Sequence, residues 1–537
     1  MDAKKSFPSK SSPLEDIEPR LRPFLPADLY ATAWVDPSQE NLEKVFEHLR
    51  TLQRIVNDYT SRSTAANPPS PGHPDGDWER GTLMFTDLAG FTRLMEANAS
   101  KGKAGASSLL GVLNAYFAKM IEIISKSGGD LLEFTGDALL ALFPASETKD
   151  RRNKSNEDAV KAIRAGLRMQ RAMAEFAEIE TPEGILTLGM RIGLHSGRFL
   201  SADIGTPRRM EHVLLGKTVQ DTKLAESAGV KERVCLSPTV YKRVKDDFEF
   251  EDHQSKDGKR DYKLVIDNLD EAQLGEYELY SLGGSRRRQA SALLFERGIA
   301  ALVEQIEGLV DAIEPLASLL PLPVLNLLVE SAAQRNIPPD FVEPTVVFVN
   351  FIGLPEMVDR VMPSEEKYII RTFSKAFAQI NAAVEARGGV LKKITYHLSG
   401  SDIVIYFGAP ISHSNDTQRA AEAALAIRDI VKEIVVPRVT MKNVPDVICQ
   451  IGINVGAAFA AEIGEPRGRR EFNVLGDTVN IAARLMNRAE PNQILVTGRA
   501  HERIAEEFDF DFVGDVPLKG KAVTTPIYEL KGPLEQE

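Results

Sequence analysis

The chain has 537 residues, 43% of them apolar, with 65 Lys+Arg against 77 Asp+Glu and a formal net charge of −12. That is enough chain for two or three domains with well-buried cores, and the acidic balance argues against nucleic-acid binding as a main role, since a phosphate backbone is met by basic surface. Cys235 and Cys449 stand far apart without metal-ligand spacing, so neither a disulfide framework nor a zinc site is indicated.

The opening residues, MDAKKSFPSKSSPLED, carry lysines but no apolar core of the signal-peptide kind, and a cytoplasmic protein is expected. Residues 1–40 are Pro- and Ser-rich and predict irregular structure. The next stretch, NLEKVFEHLRTLQRIVNDYT, spaces Leu42, Val45, Leu49, Leu52 and Val56 at helical intervals. SRSTAANPPSPGHPDGD then reads as a linker, so residues 1–77 form an N-terminal extension. A first domain is expected over 78–283, a helical linker over 284–340 and a second domain over 341–532. The most apolar run, LASLLPLPVLNLLV at 316–329, is too short to span a bilayer and contains Pro321 and Pro323. No transmembrane segment is expected.

The two domains read as divergent copies of one module. In each, an apolar run (TLMFT or TVVFV) leads to a loop, a helical stretch, a Gly-Gly pair (Gly128–Gly129 or Gly388–Gly389) and two further strands. The order strand, helix, strand, strand, helix, strand points to an α+β fold of two ferredoxin-like βαββαβ units.

The copies differ in complementary ways. FTDLAGFT and FTGDALLALF in the first face FVNFIGLP and LSGSDIVIYF in the second, so Asp87 and Asp137 become Asn350 and Ser401. A carboxylate at a strand end, beside a Gly turn and a helix start, can hold a divalent cation while free backbone N–H groups cradle phosphate. Taken alone, Asp87 could instead cap the helix and Asp137 could be a solvated hairpin residue. Together, two carboxylates on adjacent strands can clamp two Mg²⁺ ions for in-line displacement at a phosphate. Downstream the asymmetry reverses, with Asn480 and Arg484 in the second copy where the first has Gln220 and Leu224. Four residues apart on a helix, they share a face; the plainer alternative is a cap and a surface ion-pair partner. Complementary losses imply one composite site between two halves.

In sequence, FTDLAGFT, GGDLLEFTGDALLALF, MRIGLHSG, VLGDTVNIAARL and LKGK resemble the class III nucleotidyl cyclase catalytic domain, and the tandem arrangement resembles the soluble, bicarbonate-responsive adenylyl cyclases. The resemblance covers roughly residues 80–532. It implies that the two domains pack as an intramolecular pseudo-heterodimer converting ATP to 3′,5′-cyclic AMP and pyrophosphate, with two Mg²⁺ ions, Mn²⁺ being the alternative. Asp87, Asp137 and the Leu88 carbonyl would hold the metals, and Gly90, Phe91 and Thr92 would offer backbone N–H groups to the triphosphate. Arg191 would contact phosphate, the plainer alternative being a surface-strand arginine. Asn480 would orient the ribose, Arg484 would stabilise charge on the α-phosphate, and Lys519, with Lys521 as the neighbouring alternative, would meet the triphosphate.

For the base, Lys393 matches the adenine-selecting lysine. Asn473 sits where adenylyl cyclases of this family usually carry Asp or Thr. An amide can accept from the adenine N6 amine or, turned over, donate to guanine O6, so guanylate cyclase is the enzymatic alternative and a nucleotide-sensing pseudo-cyclase the non-enzymatic one. The degenerate second site, where related cyclases bind bicarbonate through a lysine and an arginine, carries Glu133 and Lys223 here. A carboxylate opposes anion binding; the alternative is an ion pair of Glu133 with Lys223 that holds the site shut, and a small-molecule regulator at this site is the remaining expectation. Because both halves are tethered, a monomer suffices for activity.

Overall fold

Alternating apolar residues make the centre of β1 (Asp75–Ala89) a two-sided buried strand, with Leu83 and Phe85 on one face and Met84 and Leu88 on the other. The computed structural model describes residues 14–146, 156–181, 184–275, 298–334, 337–360, 365–396, 400–434, 446–465, 468–517 and 524–534. Ahead of β1 lie α1 (Gln39–Asp58) and the short α2 (Arg62–Ala66). The first domain continues with α3 (Phe91–Ala99), α4 (Gly102–Lys126), β2 (Asp130–Thr135), β3 (Ala138–Pro144), α5 (Glu157–Ala172), β4 (Gly189–Thr206), β5 (Arg209–Leu215), α6 (Lys217–Ala228), β6 (Val234–Leu236), β7 (Phe250–Gln254) and β8 (Asp261–Val265). Two linker helices follow, α7 (Ile299–Ala317) and α8 (Leu322–Glu330).

The second domain comprises β9 (Asp340–Val342), β10 (Thr345–Ile352), α9 (Glu366–Glu385), β11 (Val390–Tyr396), β12 (Ser401–Phe407), α10 (Asp416–Lys432), β13 (Ile448–Val455), β14 (Ala458–Gly464), β15 (Arg470–Leu475), α11 (Asp477–Met486), β16 (Ile494–Thr497), β17 (Phe508–Val516) and β18 (Thr525–Pro533). The first sheet runs β2-β3-β1-β4-β6-β8-β7, with β5 pairing β4; the second runs β11-β12-β10-β13-β16-β18-β17. The two orders correspond strand for strand. The fold is α+β, two ferredoxin-like units extended at one edge by a parallel step, β4 with β6 and β13 with β16. By length and composition α4 could cross a membrane; in the fold it packs Leu109, Leu113, Tyr116, Phe117 and Met120 into the first core.

Each domain inserts a ribbon into the other. The end of β4 with β5 reaches α9, where the Gly205 N–H donates to Ser374 Oγ at 2.9 Å, and Leu200, Ala202, Ile204, Val213 and Leu215 complete the second domain's core. Reciprocally β14 and β15 reach α4, the Gly464 N–H donates to Asn114 Oδ1 at 3.1 Å, and Phe459, Ala461, Ile463 and Leu475 join the first core. This reciprocity makes the chain a pseudo-heterodimer of its own halves.

The N-terminal extension is more ordered than its composition predicts. Helices at Glu18–Leu21 and Ala27–Val35 occupy a stretch expected to be irregular, because Pro19 and Pro26 stand at helix starts, where a missing N–H costs no hydrogen bond. The helix expected at 41–60 is α1, whose Leu42, Val45, Leu49, Leu52 and Val56 pack with Leu302, Ile306, Val310 and Ile313 of α7. The apolar run at 316–329 is packing, with Val324, Leu325, Leu328 and Val329 buried in the same cluster. Residues 284–297, expected to be helical, lie outside the described residues.

Between the domains sits a lattice of buried charge. Arg209 and Glu211 pair at 2.6 Å, 3% and 6% exposed. In the equivalent ribbon Arg469 lies 3.5 Å from Glu471, which also binds Lys392 and stands 3.3 Å from Lys393. Although burial alone would raise Glu471, Lys392, Lys393 and Arg469 hold its carboxyl down at about 2. Glu133 faces the same cluster, and burial pushes it up to about 6 against the pull of Lys393.

Two outcomes follow from this lattice. Glu211→Ala strands a buried guanidinium, so urea unfolding should show a loss of about 3–5 kcal/mol. Glu133 holds its proton in the folded state up to about pH 6 against an ordinary value of 4.5. The folded chain therefore binds the extra proton in that window, and stability falls as pH rises through it, by about 2 kcal/mol. Unfolding measured between pH 4.5 and 7 should show that fall in the parent and its loss in Glu133→Gln.

Candidate active site

Asp87 lies near the C-terminal end of β1, where the strand gives way to Gly90 and α3. Gly90 has φ +103°, and a Cβ there would meet the Thr187 carbonyl at 3.0 Å, so the turn is built for glycine. Phe91 and Thr92 open α3, with first-turn N–H groups that no helical carbonyl can satisfy. The Leu88 side chain is buried in the core, which leaves only its main chain for ligation. Asp137 occupies the Gly136–Asp137 turn between β2 and β3, with Gly136 at φ +68°. Burial and the negative charge of Asp87 push the Asp137 carboxyl up to about 7. A carboxylate raised by a neighbouring carboxylate in this way suits a divalent cation, whose charge would relieve the repulsion.

Arg191 faces Asp87 directly across β1 and β4. Its guanidinium hydrogen-bonds the Asp87 carboxylate and lies 3.0 Å from Glu226, a 1%-exposed acid on α6. Arg191 therefore balances the charge of two carboxylates, Asp87 and Glu226. Lys223 pairs with Glu226 at 3.0 Å and lies 4.1 Å over the Phe85 ring, whereas Glu133 faces Lys393. Glu133 and Lys223 thus belong to separate clusters and do not form the ion pair that would close the second site.

The other half of the site comes from the second domain. α11 starts at Gly476, φ +138°, where a Cβ would lie 2.8 Å from Met95 Sδ of α3. That contact brings the start of α11 against the helix that follows Asp87. Leu475 packs beside the Gly136 turn, its Cδ2 3.9 Å from where a Gly136 Cβ would stand. Asn480 is exposed on α11, and Arg484, one turn on, is half-exposed with Nη1 3.8 Å from Asp477 Oδ1. Both residues thus lie on the helix whose start packs against the first domain.

Lys393 and Asn473 stand on β11 and β15. Lys393 Nζ donates to the Phe134 carbonyl at 2.9 Å, next to Glu471. A β-bulge between Leu391 and Lys393 lets the adjacent Lys392 reach Glu471 and the Phe472 carbonyl as well. Asn473 is 3% exposed, and its Nδ2 has no hydrogen-bond partner among the described residues. Such a buried amide donor without a protein partner is uncommon in a folded chain. Lys519 and Lys521 lie outside the described residues.

Glu471, Arg469, Lys392 and Glu226 escaped the sequence reading. A signal was present for the first two: Arg209–Met210–Glu211 and Arg469–Arg470–Glu471 repeat the same spacing at the same distance before Gly216 and Gly476. At the second copy's equivalent of the metal site, Asn350 donates from Nδ2 to Gln450 Oε1 at 3.3 Å. Its Oδ1 and the Ser401 hydroxyl are buried without partners among the described residues.

The profile of the family described as "Adenylate and Guanylate cyclase catalytic domain" matches residues 76–264 and 340–532. Adenylate cyclase type 10 of Oryctolagus cuniculus is 25% identical over 428 residues, covering 78% of this chain and 24% of that protein. The Homo sapiens counterpart is 25% identical over 486 residues, 87% of this chain and 27% of its own length, so the chain spans about a quarter of these relatives. The solved structure of a class III adenylyl cyclase-like ATP-binding protein from Pseudomonas aeruginosa is similar with a TM-score of 0.53, over 86% of this chain and 93% of that one. At 13% identity that likeness speaks to the fold. The chain belongs to the class III nucleotidyl cyclases and carries two catalytic domains in one polypeptide.

Proposed function

We propose that the protein is an adenylate cyclase converting ATP to 3′,5′-cyclic AMP and pyrophosphate at one composite site. The observation that carries this reading is the packing of Met95 against Gly476, which joins the carboxylate-bearing half to the helix of Asn480 and Arg484. The ribose 3′-oxygen attacks the α-phosphorus in line. A P–O bond forms, the bond to the β-phosphate oxygen breaks, and the 3′-hydroxyl proton leaves to water or phosphate. Gly90, Phe91 and Thr92 donate backbone N–H groups to the triphosphate, and Lys519 adds a cation there. Asn480 holds the ribose and Arg484 meets the charge that grows on the α-phosphate. Two Mg²⁺ ions, held by Asp87, Asp137 and the Leu88 carbonyl, would supply positive charge at the attacking and leaving oxygens. Arg191 would release Asp87 to contact a phosphate oxygen of the bound nucleotide.

Lys393 donates to purine N1 and Asn473 meets the 6-position. The unpaired Asn473 Nδ2 favours a second reading, guanylate cyclase, because a donor there fits guanine O6; turned over, the same amide accepts from adenine N6. Lys393 favours ATP, since N1 of adenine accepts while N1–H of guanine donates. A cytoplasmic location and competence as a monomer complete the proposal.

Cyclic AMP and cyclic GMP formation should be measured in parallel from Mg-ATP and Mg-GTP. Cyclic AMP is expected to dominate, and Asp87→Ala should abolish it while leaving the unfolding transition in place. Dominant cyclic GMP would move the assignment to guanylate cyclase. Arg484→Ala should lower kcat by about 10²–10³ with little change in KM, as for loss of a contact made in the transition state.

A further inference from the structure

The strands that wall the purine pocket are tied together by a segment outside both catalytic domains. α1 ends at Asp58, and Tyr59, only 5% exposed, donates its hydroxyl to Glu462 Oε1 on β14 at 2.7 Å. Glu462 also lies 3.4 Å from Arg470 Nε and accepts from the Ile337 N–H at 3.4 Å. Arg470 in turn approaches Asp58 at 3.9 Å. The Tyr59 carbonyl accepts from Arg469 Nη1 at 2.8 Å, and the same guanidinium reaches the Leu132 carbonyl of β2 at 3.4 Å. Three residues on, the Arg62 and Ser63 N–H groups donate to the Asp130 carboxylate at 3.2 and 2.9 Å, and the Arg62 guanidinium hydrogen-bonds the Gly129 carbonyl.

One short segment therefore grips the β14–β15 ribbon with Tyr59 and the start of β2 with Arg62 and Ser63. The ribbon carries Asn473 on β15, and β2 holds the side chain of Lys393, which stands on β11. Ala461, next to Glu462, pairs with Asn473, and β2 supplies Phe134, whose carbonyl binds Lys393. Apolar contact would suffice to anchor a helix. A buried carboxylate shared by a phenol, a guanidinium and an amide costs desolvation and returns fixed geometry.

We propose that residues 58–63 are a positioning latch for the purine pocket, setting the distance between β2 and the β14–β15 ribbon and thereby how Lys393 and Asn473 meet the base. This rests on the cyclase reading above. Tyr59 and Arg62 are positioning residues and touch no reacting atom. With the latch open, the ribbon and β2 separate, the closed pocket becomes a minor state, and nucleotide affinity falls by the fraction of closed molecules.

The test uses the full chain with Tyr59→Phe, which removes one hydroxyl, and Arg62→Ala, which changes an exposed side chain. Each should raise the KM for ATP by about five- to tenfold, the size of one lost charge-assisted hydrogen bond. kcat should stay within about twofold, because the groups acting on the α-phosphate lie on other elements. Calorimetric titration with α,β-methylene-ATP, which needs no turnover, should show the same loss of affinity. A merely structural role predicts the opposite split: an earlier unfolding midpoint and less active protein at unchanged KM and Kd. That result in both variants overturns the latch. Absence of both cyclic nucleotide formation and analogue binding in the parent protein would instead overturn the cyclase reading itself.

Discussion

Glu471 is the interaction around which this molecule is arranged. A carboxylate so deep between two domains keeps its charge only because Lys392, Lys393 and Arg469 surround it, and each of those cations reaches something else. Lys393 is bonded to the first domain's β2 through Phe134, and Arg469 to the same strand through Leu132 and to the N-terminal extension through Tyr59. Three parts of the chain thus converge on one anion. The cost of burying that anion is offset only when all three are docked, which couples assembly of the halves to the placement of Lys393.

The two copies share this scaffold and have parted in chemistry. The first keeps the paired carboxylates of Asp87 and Asp137; the second has an amide and a hydroxyl at those positions, Asn350 and Ser401, and Gln450 where the first has Arg191. Losing the carboxylates removes both the affinity for a divalent ion and the need for an arginine to balance them. Asp402 stands directly opposite Asn350 on the neighbouring strand, where burial raises its carboxyl well above the ordinary range. The second position is thus set by Asn350, Ser401 and Gln450 with Asp402 as its acid, while the paired carboxylates stand in the first copy.

Much of this was legible in the sequence. Helical spacing of Leu42, Val45, Leu49, Leu52 and Val56 gave α1, and the repeated pattern of apolar runs and Gly-Gly pairs gave the two units and their strand order. The ribbon exchange was not legible, because Leu200, Ala202 and Ile204 alternate as any half-buried strand does and nothing local tells which domain covers them. The first strand starts at Asp75, inside the stretch read as linker, since DGDWERG is polar, and only pairing with residues 197–203 of β4 makes it a strand. At the site, residue types at strand ends and on one helix face named the candidates. The pairing of Arg191 with Asp87 and Glu226, and the separation of Glu133 from Lys223, depend on side-chain directions across strands distant in sequence.

The bulge that sets Lys392 and Lys393 on the same carboxylate has an exact counterpart in the first domain, where the ladder slips between Leu131 and Glu133. Glu133 and Lys393 therefore stand on the same rung of two equivalent ladders, and one backbone irregularity presents an acid in one half and a lysine in the other. The two sheets agree in their backbone defect and differ only in the side chains hung on it.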